Sequence, residues 1–128
     1  MRFIAAFALA ALAGGIASAP AQAQDAEAGK KVFAKCMACH DAKAEKNKVG
    51  PHLVGVIGRT AGTVEGFKYS PAMVEAGKGG LVWTEENIHE YLENPKDFIK
   101  GNKMAFPGLK KDDEINNVIA YIEADPKP

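Results

Sequence analysis

The pentapeptide Cys36-Met37-Ala38-Cys39-His40 contains the only two cysteines of this 128-residue sequence. A C-x-x-C-H spacing is typical of a site at which a c-type haem is covalently attached. Two cysteines on one turn of chain present both sulfurs from one side, so that they can bond to the two vinyl groups on one edge of a porphyrin. The adjacent imidazole of His40 then points at the iron. The pentapeptide therefore predicts one covalent haem c, with its iron, attached through Cys36 and Cys39.

A haem iron bound by His40 has a second axial position, and Met104 is the candidate for it. Met104 stands in a loop between Gly101 and Gly108, and loops on a rigid scaffold often carry functional residues. Histidine and methionine are the ligand pair of electron-transfer cytochromes c, in which methionine raises the reduction potential. We therefore expect His40 and Met104 to ligate iron. Met73 is expected to fill the core, as methionines usually do.

Other uses of a C-x-x-C pair fit this sequence less well. A thioredoxin-like redox pair needs a βαβ pattern around it, and no such pattern surrounds Cys36 and Cys39. A structural zinc site usually takes four ligands, so zinc would need His40 together with His52 or His89, at spacings unlike those of a common finger. A disulfide would close a tight loop and leave His40 without a role. We expect His52 and His89 to be exposed or structural.

The first residues have the layout of a secretory signal peptide. Met1-Arg2 gives a positive start, residues 3–13 are an uninterrupted apolar run, and Ala21-Gln22-Ala23 fits an A-x-A cleavage site. The run is shorter than the about 20 residues that a membrane-spanning helix needs, although an uncleaved membrane anchor is the alternative. We therefore predict a signal peptide over residues 1–23, one small domain over residues 24–128 and export to the bacterial periplasm.

Charge and local pattern give the class of the domain. The 16 basic and 16 acidic residues balance, which argues against general nucleic-acid binding through phosphates. Capping residues and helical periodicity predict an all-α fold joined by glycine-rich loops. Helices are predicted to start at or just after Asp25, Ser70, Thr84, Asn94 and Asp112. The first should reach the haem motif and include Cys36, and the last should bury a stripe formed by Ile115, Val118, Ile119 and Ile122.

Several separate blocks, in order, resemble class I cytochrome c and, within it, the bacterial cytochrome c2 group. They are Gly29-Lys30-Lys31-Val32-Phe33, the haem motif, Gly50-Pro51-His52-Leu53, Gly58-Arg59, Gly66-Phe67-Lys68-Tyr69-Ser70, Trp83, Tyr91-Leu92-Glu93-Asn94-Pro95, Lys103-Met104 and Ile119-Ala120-Tyr121. The resemblance covers essentially all of residues 24–128. It implies a small cytochrome c fold, with helices and loops wrapped around one covalent haem.

The resemblance also implies roles for further residues. The Pro51 carbonyl would accept a hydrogen bond from His40, a contact that orients a ligating imidazole. Arg59, Tyr69 and Trp83 would hold the inner haem propionate, and Tyr91 would lie on the Met104 side of the haem. The crossing of the first and last helices would involve Gly29, Phe33, Val118 and Tyr121. The chain departs from the mitochondrial pattern at Lys100 and Asn102, where a proline and a threonine are usual, and in a longer stretch between Tyr69 and Trp83.

The function implied is that of a soluble periplasmic one-electron carrier that is not an enzyme. Its donor would be a membrane bc1-type complex or a periplasmic dehydrogenase, and its acceptor a terminal oxidase or a photosynthetic reaction centre. These partners would dock at a lysine-rimmed haem edge formed by Lys35, Lys48, Lys100, Lys103, Lys110 and Lys111. Such a charge asymmetry can steer encounters with acidic partners. We expect a monomer. The alternative is a haem enzyme or ligand sensor with an open sixth position.

Overall fold

The computed structural model describes residues 14–15 and 24–128. The predicted signal peptide therefore lies, apart from two exposed glycines, outside the described residues. Within the described part of the chain, no helix is long and apolar enough to cross a membrane.

Five helices form the domain, and the predicted all-α class is confirmed. They are α1 (Ala26–Phe33), α2 (Pro71–Lys78), α3 (Glu85–Glu93), α4 (Pro95–Phe98) and α5 (Asp112–Glu123). Between residues 24 and 128 the extended pairing is limited to an isolated antiparallel bridge between Thr60 and Val82. Long loops therefore carry much of the chain from one helix to the next.

Side-chain caps start the first four helices where the sequence predicts them. The Asp25 carboxylate accepts the N–H groups of Glu27 and Ala28 at the start of α1. Ser70, Thr84 and Asn94 cap α2, α3 and α4 in the same manner. Each cap satisfies backbone donors that have no partner within the helix. The fifth helix has no side-chain cap, but three acidic residues in its first turn favour the positive end of its dipole.

The end of α1 differs from the expectation. The helix ends at Phe33 and does not include Cys36. The chain continues as consecutive turns, in which the N–H of Cys36 donates to the Phe33 carbonyl at 2.8 Å. Because this hydrogen bond spans three residues and not the four of an α-helix, the chain is wound more tightly here. The haem motif therefore lies on tight turns that follow the helix.

The crossing of α1 and α5 forms one end of the core. Gly29 is buried in α1, and a Cβ atom there would collide with the backbone carbonyl of Asn117 in α5. The rings of Phe33 and Tyr121 pack with centroids 5.2 Å apart. The predicted apolar stripe of α5 is confirmed, because Ile115, Val118, Ile119 and Ile122 are all buried. Close approach at Gly29 thus fixes the helix that leads into the haem motif.

The loop over residues 50–59 contains no helix, as its glycines and proline predict. It is joined to the later chain at Trp83, whose N–H donates to the Arg59 carbonyl and whose carbonyl accepts the Gly58 N–H, both at 2.8 Å. Positive φ values at Gly55 and Gly58 allow the turns that bring the loop back. The preceding segment, residues 41–48, is mostly exposed as expected, but Ala42 is buried in the core.

Candidate functional site

The haem motif presents two thiols that are not joined to each other. Cys36 and Cys39 are both half-buried and unpaired. The N–H of His40 donates to the Cys36 carbonyl at 2.9 Å, and the N–H of Gly50 donates to the Cys39 carbonyl at 2.8 Å. Burial raises the pKa of the Cys36 thiol, while Lys35 acts in the opposite direction. The turns thus hold the motif against the loop that begins at Gly50.

His40 is oriented by a single strong backbone contact. Its Nδ1 lies 2.7 Å from the Pro51 carbonyl oxygen. A carbonyl can only accept, so Nδ1 carries the proton and Nε2 presents its lone pair. Burial lowers the pKa of His40, with smaller opposing and reinforcing effects from the Pro51 carbonyl and Lys48. The neutral imidazole, which is the form that binds a metal, is therefore favoured.

Gly50 contributes to the site in a way that the sequence analysis did not identify. A Cβ at this position would lie 2.8 Å from Nδ1 and 2.9 Å from Nε2 of His40, and it would also collide with Cε1. Only glycine lets the backbone pass so close to the imidazole ring. The Gly50-Pro51 pair was the sequence feature that could have indicated this contact. The Pro51 carbonyl accepts a hydrogen bond from the His40 ring, and the absence of a side chain at Gly50 leaves space for that ring.

Met104 lies beside an aromatic cluster. Its sulfur is 3.9 Å from the hydroxyl oxygen of Tyr91. Burial raises the pKa of Tyr91 to about 12, so the hydroxyl keeps its proton and can donate to the sulfur. The Tyr91 ring packs 5.0 Å from the Trp83 ring and 6.1 Å from the Phe98 ring, centroid to centroid. Met73 is half-buried against the core, as predicted.

The residues expected at the inner propionate are brought together in part. The Arg59 backbone carbonyl accepts the N–H of the buried Trp83 at 2.8 Å. The Arg59 guanidinium donates to the carbonyls of His52 and Val54 at 3.1 and 3.2 Å. The Tyr69 hydroxyl accepts the Val64 N–H at 3.0 Å. Burial raises the pKa of Tyr69, and the nearby Arg59 charge opposes that rise.

Two buried polar atoms beside this loop have no protein partner among residues 24–128. They are Nε of Arg59 and Nδ1 of His52. Buried polar groups are normally hydrogen-bonded, so the Arg59 donor calls for an acceptor such as a haem propionate. Unpaired thiols, an oriented imidazole and a thioether facing a phenol complete a donor set that fits haem c. No group of three or more His, Cys, Asp or Glu residues in the described chain is arranged to hold a metal ion.

The other two histidines make protein contacts of their own. His52 is half-buried, and its backbone N–H donates to the Asn47 side chain at 3.1 Å. His89 on α3 lies 3.6 Å from the Asp112 carboxylate on α5. Neither lies in a group able to hold a metal among the residues described.

Comparison with known proteins agrees with this site. The sequence model of the family named cytochrome c matches residues 26–124. The chain belongs to the cytochrome c family. It is 48% identical over 97 residues to cytochrome c2 of Afifella marina, which covers 75% of this chain and 78% of that protein. It is 50% identical over 99 residues to cytochrome c-550 of Nitrobacter winogradskyi, covering 77% of this chain and 88% of that protein.

A solved structure supports the same assignment. Cytochrome c2 of Rhodospirillum centenum superposes with a TM-score of 0.75 at 41% identity, covering 81% of this chain and 99% of that chain. The predicted membership of class I cytochrome c, in the bacterial c2 group, is confirmed. This cytochrome c therefore carries covalent haem c with iron, for which Cys36 and Cys39 have the required spacing. It is a haem c electron carrier.

Proposed function

We propose that this cytochrome c is a soluble periplasmic one-electron carrier whose iron is ligated by His40 and Met104. The observation that carries the proposal is the 2.7 Å contact of His40 Nδ1 with the Pro51 carbonyl, which leaves Nε2 as the metal-binding atom. The proximity of the Met104 sulfur to Tyr91 supports it. When bound, haem c supplies a ferrous–ferric couple that exchanges one electron at a time. With protein ligands on both faces, no position is left for a substrate, so we propose no enzymatic activity.

Replacing each methionine in turn tests the ligand assignment. In the Met104→Ala variant the sixth position loses its protein ligand, so the reduced protein should bind carbon monoxide. Met73→Ala removes a comparable half-buried methionine and should leave carbon monoxide binding absent. If Met104→Ala binds no more carbon monoxide than the parent protein, another residue holds the sixth position.

The charge distribution supports docking of redox partners near the haem motif. The six lysines of the proposed rim are all exposed. Two large apolar side chains, Met37 and Val49, are also exposed in this region, by 56% and 78%. Lys48 donates to the Met37 carbonyl at 2.8 Å, which joins charge and apolar surface in one patch. We propose a bc1-type complex or a periplasmic dehydrogenase as donor, and an oxidase or a photosynthetic reaction centre as acceptor.

Salt dependence tests this docking surface. Surface charges are screened over about 8 Å at physiological ionic strength, so the rate of electron exchange with an acidic partner should fall as salt is added. Lys103→Glu should reduce the low-salt rate and flatten its salt dependence. Lys78→Glu makes the same charge change on α2, outside the six rim lysines, and should have less effect. A rate of electron exchange that does not change with ionic strength would rule out docking through this lysine surface.

The location rests on the signal-peptide pattern of residues 1–23. We propose cleavage after Ala23 and a monomeric mature protein in the periplasm. Expression of the full chain in a bacterium that matures c-type cytochromes, followed by cell fractionation and mass measurement of the haem protein, tests both. A haem protein that retains residues 1–23 in the membrane fraction would favour the anchor alternative.

A further inference from the structure

Asn102 lies two residues before Met104. It is one of two polar residues that are buried in the described part of the chain. Its side chain makes three short hydrogen bonds. The amide nitrogen donates to the carbonyls of Pro95 at 2.7 Å and Ile99 at 2.8 Å, and the amide oxygen accepts the Met104 N–H at 2.9 Å. Asn102 is only 6% exposed. Carbonyls accept and an N–H donates, so these partners fix which end of the amide faces which group.

These three bonds join two separate pieces of structure. Pro95 begins the short helix α4, and Ile99 directly follows its last residue. The Pro95 carbonyl also accepts the Ile99 N–H, at 3.1 Å. Asn102 adds a second donor to each of these two carbonyls with one NH2 group. The opposite end of the same planar amide holds the backbone of Met104. The position of Met104 is thereby set relative to α4 by a single rigid group.

The geometry just before Asn102 restricts the loop further. Gly101 has a φ of +87°, a left-handed conformation that favours glycine. The N–H of Asn102 also donates to the Ile99 carbonyl, at 3.2 Å. The chain therefore makes a defined turn after α4 and enters the Met104 segment with Asn102 already anchored by its backbone and its side chain.

We propose that Asn102 is a positioning residue that holds the Met104 backbone to α4 and so keeps the methionine sulfur on the iron. The proposal rests on the proposed ligation by Met104. Without the amide, the Met104 N–H would lose its partner, and the Pro95 and Ile99 carbonyls would each keep a single backbone donor. The segment would therefore open more often. Each opening exposes the sixth position of the iron to other ligands. Asn102 thus sets how long the methionine stays bound.

The test measures that opening with imidazole as the probe ligand. In the ferric holoprotein, imidazole binds iron only when Met104 has left, so the rate at saturating imidazole reports the opening step. Asn102→Leu keeps a similar volume and removes all three bonds. Loss of these three bonds, with the Met104 N–H left unpaired, shifts the opening equilibrium by roughly ten- to a hundredfold. We expect imidazole to bind faster by about that factor. The methionine-to-ferric-iron absorption band should weaken in parallel.

Asn87 offers a matched control. Its side-chain amide donates to the Val82 carbonyl at 2.7 Å, as short a bond as any made by Asn102, and it lies outside the Met104 segment. Asn87→Leu should lower stability to denaturant while leaving the imidazole rate and the absorption band unchanged. If Asn87→Leu accelerates imidazole binding as much as Asn102→Leu does, the effect is general destabilisation and the proposal fails.

Hydrogen exchange of the unmodified protein gives a second measurement that does not depend on the variant folding. The Met104 amide proton should be protected and should exchange through the same opening that admits imidazole. An unprotected Met104 amide, or an Asn102→Leu protein with the parental imidazole rate, would overturn the role of Asn102. If the parent protein lacks the methionine–iron band altogether, the ligation by Met104 is wrong, which is a different result.

Discussion

Replacing Gly50 by alanine tests whether the backbone was shaped around the His40 imidazole. The new Cβ would stand 2.8 Å from Nδ1 and 2.9 Å from Nε2, whereas ordinary contacts begin at 3.4 Å. The ring would therefore have to move by at least about 0.6 Å, the difference between 2.8 and 3.4 Å, and further to clear Cε1, which lies closer than either nitrogen. A shift of that size is enough to disturb the 2.7 Å hydrogen bond to Pro51.

The cost in stability follows from two unfavourable effects and one favourable effect. Overpacking a dense site costs about 1–3 kcal/mol, and weakening one hydrogen bond costs about 0.5–1.5 kcal/mol. Replacing glycine in a conformation that alanine accepts gains about 0.4–1 kcal/mol through the unfolded chain. The free energy of unfolding should therefore fall by roughly 0.5–4 kcal/mol.

Gly79→Ala is the matched control for this measurement. Gly79 has a φ of −76°, and a Cβ there would meet its nearest atoms at 3.4 and 3.5 Å. That variant should be neutral or slightly stabilised, since it gains the same unfolded-state effect without a collision. Guanidinium unfolding of the two holoproteins, followed by far-UV circular dichroism, gives the comparison. Equal free energies of unfolding for Gly50→Ala and Gly79→Ala would refute the reasoning.

Three further predictions concern the helix crossing, the Met104 sulfur and a pair of carboxyl groups. Gly29→Ala should lower the free energy of unfolding by about 1–3 kcal/mol, because its Cβ would collide with the backbone of α5, which cannot rotate away; unchanged thermal unfolding would contradict the close crossing. Tyr91→Phe removes the hydroxyl that lies 3.9 Å from the Met104 sulfur. The sulfur should then donate more strongly to ferric iron, and redox titration should show a lower reduction potential; an equal or higher potential would argue against that contact. Burial, followed by a hydrogen bond and charge repulsion from Glu85, raises the pKa of Glu123 from 4.5 to about 7. Because Glu123 holds its proton more tightly in the folded protein, the free energy of unfolding should fall as pH rises from about 4.5 to about 7. Glu85→Gln should lower the Glu123 pKa in an NMR titration. An unchanged Glu123 pKa would show that Glu85 does not cause the shift.

The fold was largely predictable because local signals and long-range packing agree. The sequence predicts four helix caps that the structure shows, at Asp25, Ser70, Thr84 and Asn94. Such caps are predictable because a cap depends on residues only a few positions away. The end of α1 was not predictable in the same way. Its last turn is replaced by tighter turns that hold the haem motif, and helix propensity carries no information about that constraint.

The site was predictable as a set of residues but not as a set of contacts. The haem motif and Met104 stand out by type and spacing, and the resemblance to cytochrome c added Pro51, Arg59 and Tyr91. Asn102 was visible only as a departure from the usual threonine, because its three partners depend on the position of α4 in space. Gly50 was part of a recognisable pair, yet its proximity to the His40 ring is a tertiary fact.

The measurement that tests the account most directly is an absorption spectrum of protein matured with its haem in a bacterial periplasm. It should be taken oxidised, reduced, and reduced under carbon monoxide. Ligation by His40 and Met104 predicts sharp reduced haem c bands, the weak methionine-to-ferric-iron band, and no change with carbon monoxide. A high-spin spectrum that shifts with carbon monoxide would contradict it, because Met104 would then not hold the iron and the enzyme or sensor alternative would take its place.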